Sequence, residues 1–462
     1  MLIPRWDQAR LSESHLLIVG SDALAAVIAV GATALGVGRV TLLHDAVVGR
    51  EQSDHFLCDG ATPGTPRVRV METALRALNP DVTVSSVVAQ LVSDVQLMTL
   101  PRLHLVIVAN GDACDVAVCA AYAHAQNLPL IIASANTTEG ACAVWLPSRE
   151  RTPCRSPSLT ETTDREQTGN PSMAVSCVIG GLALSEARAC LLPFWSGEPL
   201  FAPPMLRYNL AHPQRFLPAG QETIDHTTLH SPRSIPIRHL VLVGAGGLGT
   251  WFGLAAVADS LTRLLTVFDP DVIEEHNLNR QILFTGAVGQ PKATTLAARL
   301  RSINSDVRTT GVGERIPPEF ISDHHAEIDG VIAAVDNFRT RALLQQECGE
   351  NGLPLINGGS GALQAEVAIY APGQTACLNC VMDLKRLAQR ESDQPTSCAA
   401  APEASTVIAN MIAGGLMAAE TRNLLTDPPN VPRGVIAYDA FAPPRVGLRS
   451  KRSPCRCFER SR

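Results

Sequence analysis

The sequence predicts an α/β protein made of two tandem, doubly wound, mostly parallel sheets of the Rossmann-like kind. Three observations lead there. Short apolar runs alternate with Ala/Leu-rich helical segments along the chain, the signature of strands feeding crossover helices. The pattern repeats in register after about half the length. One copy opens on "GAGGLG", a strand-to-helix turn with phosphate-binding geometry.

The repeat begins with His15-Leu16-Leu17-Ile18-Val19-Gly20, which recurs 224 residues later as His239-Leu240-Val241-Leu242-Val243-Gly244. Each run ends in Gly, leads into a helical segment and then into a second apolar run ending in Asp. Gly20 to Asp45 spans 25 residues, and so does Gly244 to Asp269. The register then moves to 225: Gly64 to Val82 matches Gly289 to Val307, "LPLI" at Leu128 to Ile131 matches Leu353 to Ile356, and Pro147 matches Pro372. Gly181 and Glu186 match Gly415 and Glu420 at 234. A register held this long means a duplicated unit. We expect a first unit over residues 1–195, a connector over 196–237 and a second unit over 238–462. Phe201 to Pro236 is rich in Pro, His and Thr without periodicity. Ser148 to Ser172 reads as a polar surface loop.

Bulk composition narrows the function. With 462 residues and 46% apolar side chains the chain can bury sizeable cores, while a net charge of -6 gives no broad attraction to nucleic acid. Leu16 to Gly38 is apolar, but its Asp22 and strand-then-helix pattern read as buried core rather than a membrane span. The start lacks a basic, apolar, small-residue leader, so the 13 cysteines read as cytoplasmic thiols, metal ligands or a nucleophile, not a disulfide framework.

The copies differ where chemistry would sit. The second carries Gly244, Gly246, Gly247 and Gly249, which turn backbone N–H groups and a helix N-terminus toward a phosphate. Asp269, at the end of the next strand, is placed to reach a ribose hydroxyl. The first copy reads Gly20-Ser21-Asp22-Ala23, with an acid where phosphate would go. Asn277 and Arg280 have no counterpart around Gln52 to Leu57, Lys292 is matched by Arg67, and Asp336 by Gly111. Arg280 and Lys292 suit phosphates and the charge that develops on them. Asp336, after the run Gly330 to Val335, suits Mg²⁺, which takes carboxylate plus phosphate oxygens. Asn277 can donate to a phosphate. Singly each has a plain alternative: a solvated Arg280, a helix-start Lys292, a strand-end Asp336. An NAD-dependent oxidoreductase would use Gly244, Gly246, Gly249 and Asp269 alone and leave Arg280, Lys292 and Asp336 without a task. A pseudoenzyme scaffold fits the first copy but not the second.

With "GAGGLG", "DPDVIEEHNLNRQILF", "GQPKA", "VDN" at Val335 to Asn337, "PLINGGSGALQAEVAIYAPG" and "CLNC", the second copy resembles the ubiquitin-activating-enzyme-like adenylyltransferases, the ThiF/MoeB group. The resemblance runs from Arg238 to about Cys457. It implies that Asp269 binds ribose, that Asn277, Arg280 and Lys292 line the phosphates, that Gln281 is among the nucleotide-binding residues, and that Asp336 holds Mg²⁺. The implied reaction is attack of a C-terminal glycine carboxylate on the α-phosphorus of ATP, giving an acyl-adenylate and pyrophosphate. The resemblance also makes the two copies an intramolecular pseudo-dimer with an inactive first half. In such enzymes an arginine from the partner's N-terminal stretch reaches the nucleotide. "RWDQ" at Arg5 to Gln8 resembles that stretch, leaving Arg5 or Arg10 as the candidate, and "RYN" at Arg207 to Asn209 echoes it.

The same resemblance bears on the cysteines. Cys377 and Cys380 form CxxC, and Cys455 and Cys457 a C-x-C near the end of the sequence, four thiolates for a structural Zn²⁺ in which the second pair departs from the usual spacing. Cys398 lies in a polar loop before an apolar helix from about Glu403 to Leu425, where the helix N-terminus favours thiolate. It is either the acceptor that takes the activated protein as a thioester or an idle loop cysteine. Cys348, Cys58, Cys114, Cys119, Cys142, Cys177 and Cys190 read as packing. The expected partners are a ubiquitin-like or sulfur-carrier protein ending in glycine and a small carrier (conjugating) enzyme. A ribosomally made peptide is the other substrate class.

Overall fold

The computed structural model describes residues 3, 6–49, 55–146, 171–192, 205–210, 212, 215–218, 237–393, 405–426, 432, 434–441, 446–450 and 457–458. Among these residues the chain builds two eight-stranded sheets of identical topology. The first has the order β3-β2-β1-β4-β5-β6-β7-β8, with β1 His15–Val19, β2 Arg39–Leu43, β3 Thr83–Val87, β4 Leu105–Ala109, β5 Leu130–Ala135, β6 Glu139–Trp145, β7 Met205–Asn209 and β8 Phe216–Pro218. The second repeats it as β11-β10-β9-β12-β13-β14-β15-β16, with β9 Ile237–Val243, β10 Thr262–Phe268, β11 Arg308–Val312, β12 Gly330–Ala333, β13 Leu355–Ser360, β14 Gln364–Tyr370, β15 Gly434–Asp439 and β16 Val446–Ser450.

In each sheet the first five strands are parallel and the last three antiparallel. The parallel part is what the alternating runs predict. The antiparallel extension is not, and it changes the reading of 196–237. β7 and β8 fall inside the stretch read as connector; β7 pairs with β6 and β8 with β7, so the first sheet runs on to Pro218. Strands of five and three residues around Pro213 show no period over their short lengths. The "RYN" echo is β7 itself, in the place that β15 with Tyr438 holds in the second sheet.

Leu16 to Gly38 forms β1 and the helix Ala23–Ala34, both buried. One described helix, Met173–Leu191, is long and apolar enough to cross a membrane, but it is the core helix of this protein. It packs against its own counterpart, Val407–Thr426, across the boundary between the halves. The matched glycines Gly181 and Gly415 permit that approach. A Cβ at Gly181 would lie 2.4 Å from Ile412 Cγ1, and one at Gly415 would lie 2.7 Å from the Ala174 carbonyl.

The halves share one apolar core, and a smaller cluster covers the outer face of each sheet. Polar contacts fix the shared face. Arg215 donates from Nε and Nη2 to both Glu420 carboxylate oxygens at 2.7 and 3.0 Å, with both side chains fully buried. Asp259 accepts from Ser172 Oγ, Met173 N and Ala174 N, which caps the first unit's core helix from the second unit. Tyr438 donates its hydroxyl to Ser185 Oγ at 2.8 Å. The two units thus pack on each other through one shared core.

The packing cysteines are buried at 58, 119, 142, 177 and 348. Cys190 is half-buried, and Cys114 is exposed, contrary to expectation. Cys114 precedes Cys119 by five residues on helix Ala113–Gln126, about 140° around the axis, so the two cannot share a face. The polar loop 148–172 lies outside the described residues except for its last two positions.

Candidate active site

The site forms at the carboxyl ends of the second sheet's parallel strands, where β10 and β12 flank β9 and the strand order reverses, the usual ligand crevice of such sheets. β9 is followed by Gly244, whose φ of +100° suits glycine, and a Cβ there would lie 2.5 Å from the Ala334 carbonyl. Gly246 is the N-cap of helix Gly247–Ala258, and a Cβ on it would meet only Gln281 Nε2, at 3.8 Å. That face of the turn is open. Backbone N–H groups at the start of this 12-residue helix face outward with the positive end of its dipole.

Asp269 follows β10 and is buried. Its Oδ2 accepts from Ala245 N at 2.6 Å and its Oδ1 from Asp271 N at 2.9 Å. Burial pushes its pKa up, opposed by these two N–H groups and by Lys292. Lys292, the first residue of helix Lys292–Ile303, donates from Nζ to Asp271 Oδ2 at 2.9 Å. Asp271 is therefore a site residue missed in the sequence. Its signal is the second acid of "DPD".

Asn277 is buried in a 3-10 turn, and its Oδ1 accepts from Glu274 N at 3.0 Å. Gln281 is buried beside the glycine turn, and its Oε1 has no hydrogen-bond partner among the described residues. Arg280 is half-buried, donates from Nη1 to the His276 carbonyl and to Asn279 Oδ1, and has no carboxylate partner among the described residues. Burial lowers its pKa, so the cation is held at a cost that an anionic ligand would offset.

Asp336 is exposed just beyond β12, and the neighbouring Asn337 caps helix Phe338–Asn351 through Thr340 N at 2.8 Å. Arg341, a second missed residue, lies buried on that helix. It donates to Asn357 Oδ1 at 3.0 Å and to the Val335 carbonyl, bracing the strand ends that carry Asp336. Burial lowers its pKa, opposed first by Asp336. A cation five residues past Asp336, on the sheet side of its helix, is the signal that could have found it.

The first unit closes the same position. Asp22, at the place of Gly246, caps helix Ala23–Ala34 with Oδ1 on Ala25 N at 3.0 Å, and Asn110 donates to its Oδ2. Burial raises its pKa. The counterpart of Asp269 proves to be His44, not Asp45. Gly20 N bonds to Leu43 O as Gly244 N bonds to Phe268 O, so the next residue in each chain is the equivalent one. His44 Nδ1 contacts Ser21 Oγ and Ala46 N, both at 3.0 Å, mirroring Asp269. The count of 25 residues misled because the second unit has an extra residue before β10. His55 stands where Arg280 does, and Arg67 donates to the Val47 carbonyl.

Cys377, Cys380 and Cys457 come together with sulfurs within 4.8 Å of one another, and 3.6 Å between Cys380 and Cys457. A tetrahedral zinc with Zn–S of about 2.3 Å has sulfurs about 3.8 Å apart, so this donor set fits. Cys455, Cys398 and Arg5 lie outside the described residues. Arg10 is on helix Gln8–Glu13 of the first unit, near His104 at the start of β4.

The sequence profile of the ThiF family matches residues 1–226 and again 233–457. The chain belongs to the ThiF family. Among curated relatives it is 35% identical to the sulfur carrier protein ThiS adenylyltransferase of Bacillus subtilis, over 31% of this chain and 43% of that one. It is 35% identical to the SAMP-activating enzyme E1 of Haloferax volcanii, over 31% and 52%. It is 32% identical to human ubiquitin-like modifier-activating enzyme 7, over 30% and 14%. The matched stretch thus spans about half or less of these relatives. Among solved structures, E. coli MccB with ATP aligns over 44% of this chain and 60% of that one, with 22% identity and a TM-score of 0.36. The two ThiF matches coincide with the two sheets.

Proposed function

We propose that the chain is an ATP-dependent activating enzyme for a ubiquitin-like protein, with a live second half and a plugged first half. The observation that carries this is the pair of equivalent turns: one open at Gly246 beside Arg280 and Gln281, the other filled by Asp22. In this reading the first unit, carried by its sheet beyond residue 195 to Pro218, supplies a fixed pseudo-dimer partner for the active unit 238–462. Asp269 orients the ribose, and Asn277, Arg280, Gln281 and Lys292 hold the phosphates. Asp336 would be the carboxylate that holds Mg²⁺, which would supply neutralisation of the phosphate charge.

A glycine carboxylate oxygen of the carrier protein bonds to the α-phosphorus as the α–β bond breaks and pyrophosphate leaves. Lys292 and Arg280 face the charge that moves onto the phosphates. The thiolate of Cys398 then attacks the acyl carbon, AMP leaves, and the carrier is held as a thioester for a conjugating enzyme. Zinc on Cys377, Cys380, Cys455 and Cys457 pins the final segment to the active sheet. The reading keeps the cytoplasmic setting expected from the sequence.

A second reading stops at the adenylate, with a sulfur carrier as substrate and Cys398 idle. The likeness to a ThiS adenylyltransferase favours it. Intact mass on a non-reducing sample separates the two. The protein is mixed with Mg-ATP and a glycine-terminated carrier, alongside Cys398→Ala. A thiol-sensitive gain of one carrier mass, absent in the variant, supports the thioester. AMP formed without an adduct supports the second reading, and no AMP from any carrier rejects both.

A further inference from the structure

The buried face of the glycine turn carries a hydrogen-bonded node that the phosphate set does not include. Asn410, fully buried near the start of helix Val407–Thr426, lies against Gly247 so closely that a Cβ there would be 2.6 Å from its Oδ1. Its amide is hydrogen-bonded at both ends. Oδ1 accepts from Ser360 Oγ at 3.0 Å, and Nδ2 donates to Ser405 Oγ and to the Thr406 carbonyl, both at 2.7 Å. Thr406 Oγ1 in turn donates to the Ala362 carbonyl at 2.6 Å. One side chain thus ties together the first turn of helix Gly247–Ala258, the end of β13 and the root of the last core helix.

The first half supplies an internal control. Its helix Ala23–Ala34 begins at Ala23 where the second begins at Gly247, and β5 ends at Ala135 where β13 ends at Ser360. Helix Met173–Leu191 carries Ser176 at the place of Asn410, with Pro171 at the place of Ser405. Ser176 Oγ is buried without a partner among the described residues. The fold therefore stands without the node, and the node is present only where the turn is open.

We propose that Asn410 is a positioning residue for nucleotide binding. It fixes the first turn of helix Gly247–Ala258 so that its N–H groups are aimed before the phosphates arrive. This rests on the nucleotide reading above and adds to it the residue that preorganises the turn.

The test transplants the first half's own residues. Mg-ATP binding is measured by calorimetry, with thermal melting in parallel, on full-length wild type, Asn410→Ser, Gly247→Ala and the double variant. Gly247→Ala alone should melt earlier, because its Cβ meets the Asn410 amide, and adding Asn410→Ser should restore the melting temperature, as Ala23 beside Ser176 coexist in the first half. Both variants with Ser at 410 should bind Mg-ATP about ten-fold or more weakly, at unchanged stoichiometry, for loss of a buried hydrogen-bonded support. A merely structural role would lower stoichiometry and melting temperature and leave the Kd of the folded fraction alone, which overturns the inference. Wild type binding with Asn410→Ser unchanged also overturns it, by itself. Wild type that does not bind Mg-ATP overturns the nucleotide reading with it.

Discussion

Asp22 of the first half stands where Gly246 stands in the second, each as the N-cap of the helix that follows the first strand of its sheet. The side chain that closes one turn is missing from the other. An acid that accepts from its own helix N-terminus uses the donors an anionic ligand would need, and adds a charge of the wrong sign. This single exchange separates the halves more cleanly than their folds do.

Lys292 tests the phosphate reading. In the structure its ammonium pairs with the exposed Asp271, an interaction that a phosphate can replace. Lys292→Ala should lower carrier-dependent ATP–pyrophosphate exchange by on the order of 10²- to 10³-fold, the usual scale for one charge-stabilising donor. Asp271→Asn should cost far less. An equal loss in both would make the pair a structural salt bridge.

Acid sensitivity follows from a duplicated histidine. His15 Nε2 meets Thr41 Oγ1 at 2.8 Å, and His239 Nε2 meets Thr266 Oγ1 at 2.9 Å, each on the first strand of its sheet. Burial lowers the pKa of both, His15 to about 4. The rings are neutral in the folded chain, and the unfolded chain takes up their protons near the ordinary value of about 6.5. Stability is then complete above that value and declines as pH falls from about 6.5 toward about 4. Melting temperature should drop over this window, with a shallower slope in the His15→Gln, His239→Gln variant. An unchanged slope would assign the acid sensitivity elsewhere.

The union of the halves rests partly on Arg215 and Glu420. Removing one member of a fully buried, bidentate pair leaves an uncompensated charge, so Arg215→Ala should destabilise by about 3–5 kcal/mol in denaturant unfolding. Replacing both, Arg215→Met with Glu420→Leu, should recover much of that loss. A double variant as unstable as the single would mean that the pair contributes packing rather than charge balance.

Metal analysis checks the cysteine cluster. One zinc per chain is expected in protein purified without chelator, and Cys380→Ser should lower that content and loosen the packing of Phe458 beneath Gly349 and against Tyr370. Full zinc content in Cys380→Ser would remove this thiol from the ligand set.

Features repeated in the chain or tied to a special residue were legible in the sequence. The duplication, the four-glycine turn, the strand-end acid Asp269 and the glycines at the helix crossing all left marks, because each is a special residue type at one fixed place. What escaped depends on three-dimensional neighbours. His44 was hidden by a one-residue insertion that kept the Gly-to-Asp count equal while shifting the true partner. β7 and β8 are too short to show a period. Asp271, Arg341 and Asn410 look like ordinary polar residues until their partners, Lys292, Val335 with Asn357, and Ser360, are brought beside them.

We infer one live nucleotide site and one plugged site in a single chain. Calorimetric titration of Mg-ATP into wild type, Gly246→Asp and Asp22→Gly distinguishes the two. One site per chain is expected in wild type, loss of binding in Gly246→Asp with the melting temperature largely kept, and still one site in Asp22→Gly, because His44 and His55 remain where Asp269 and Arg280 would be needed. Two sites in wild type, or binding that survives Gly246→Asp, would contradict it.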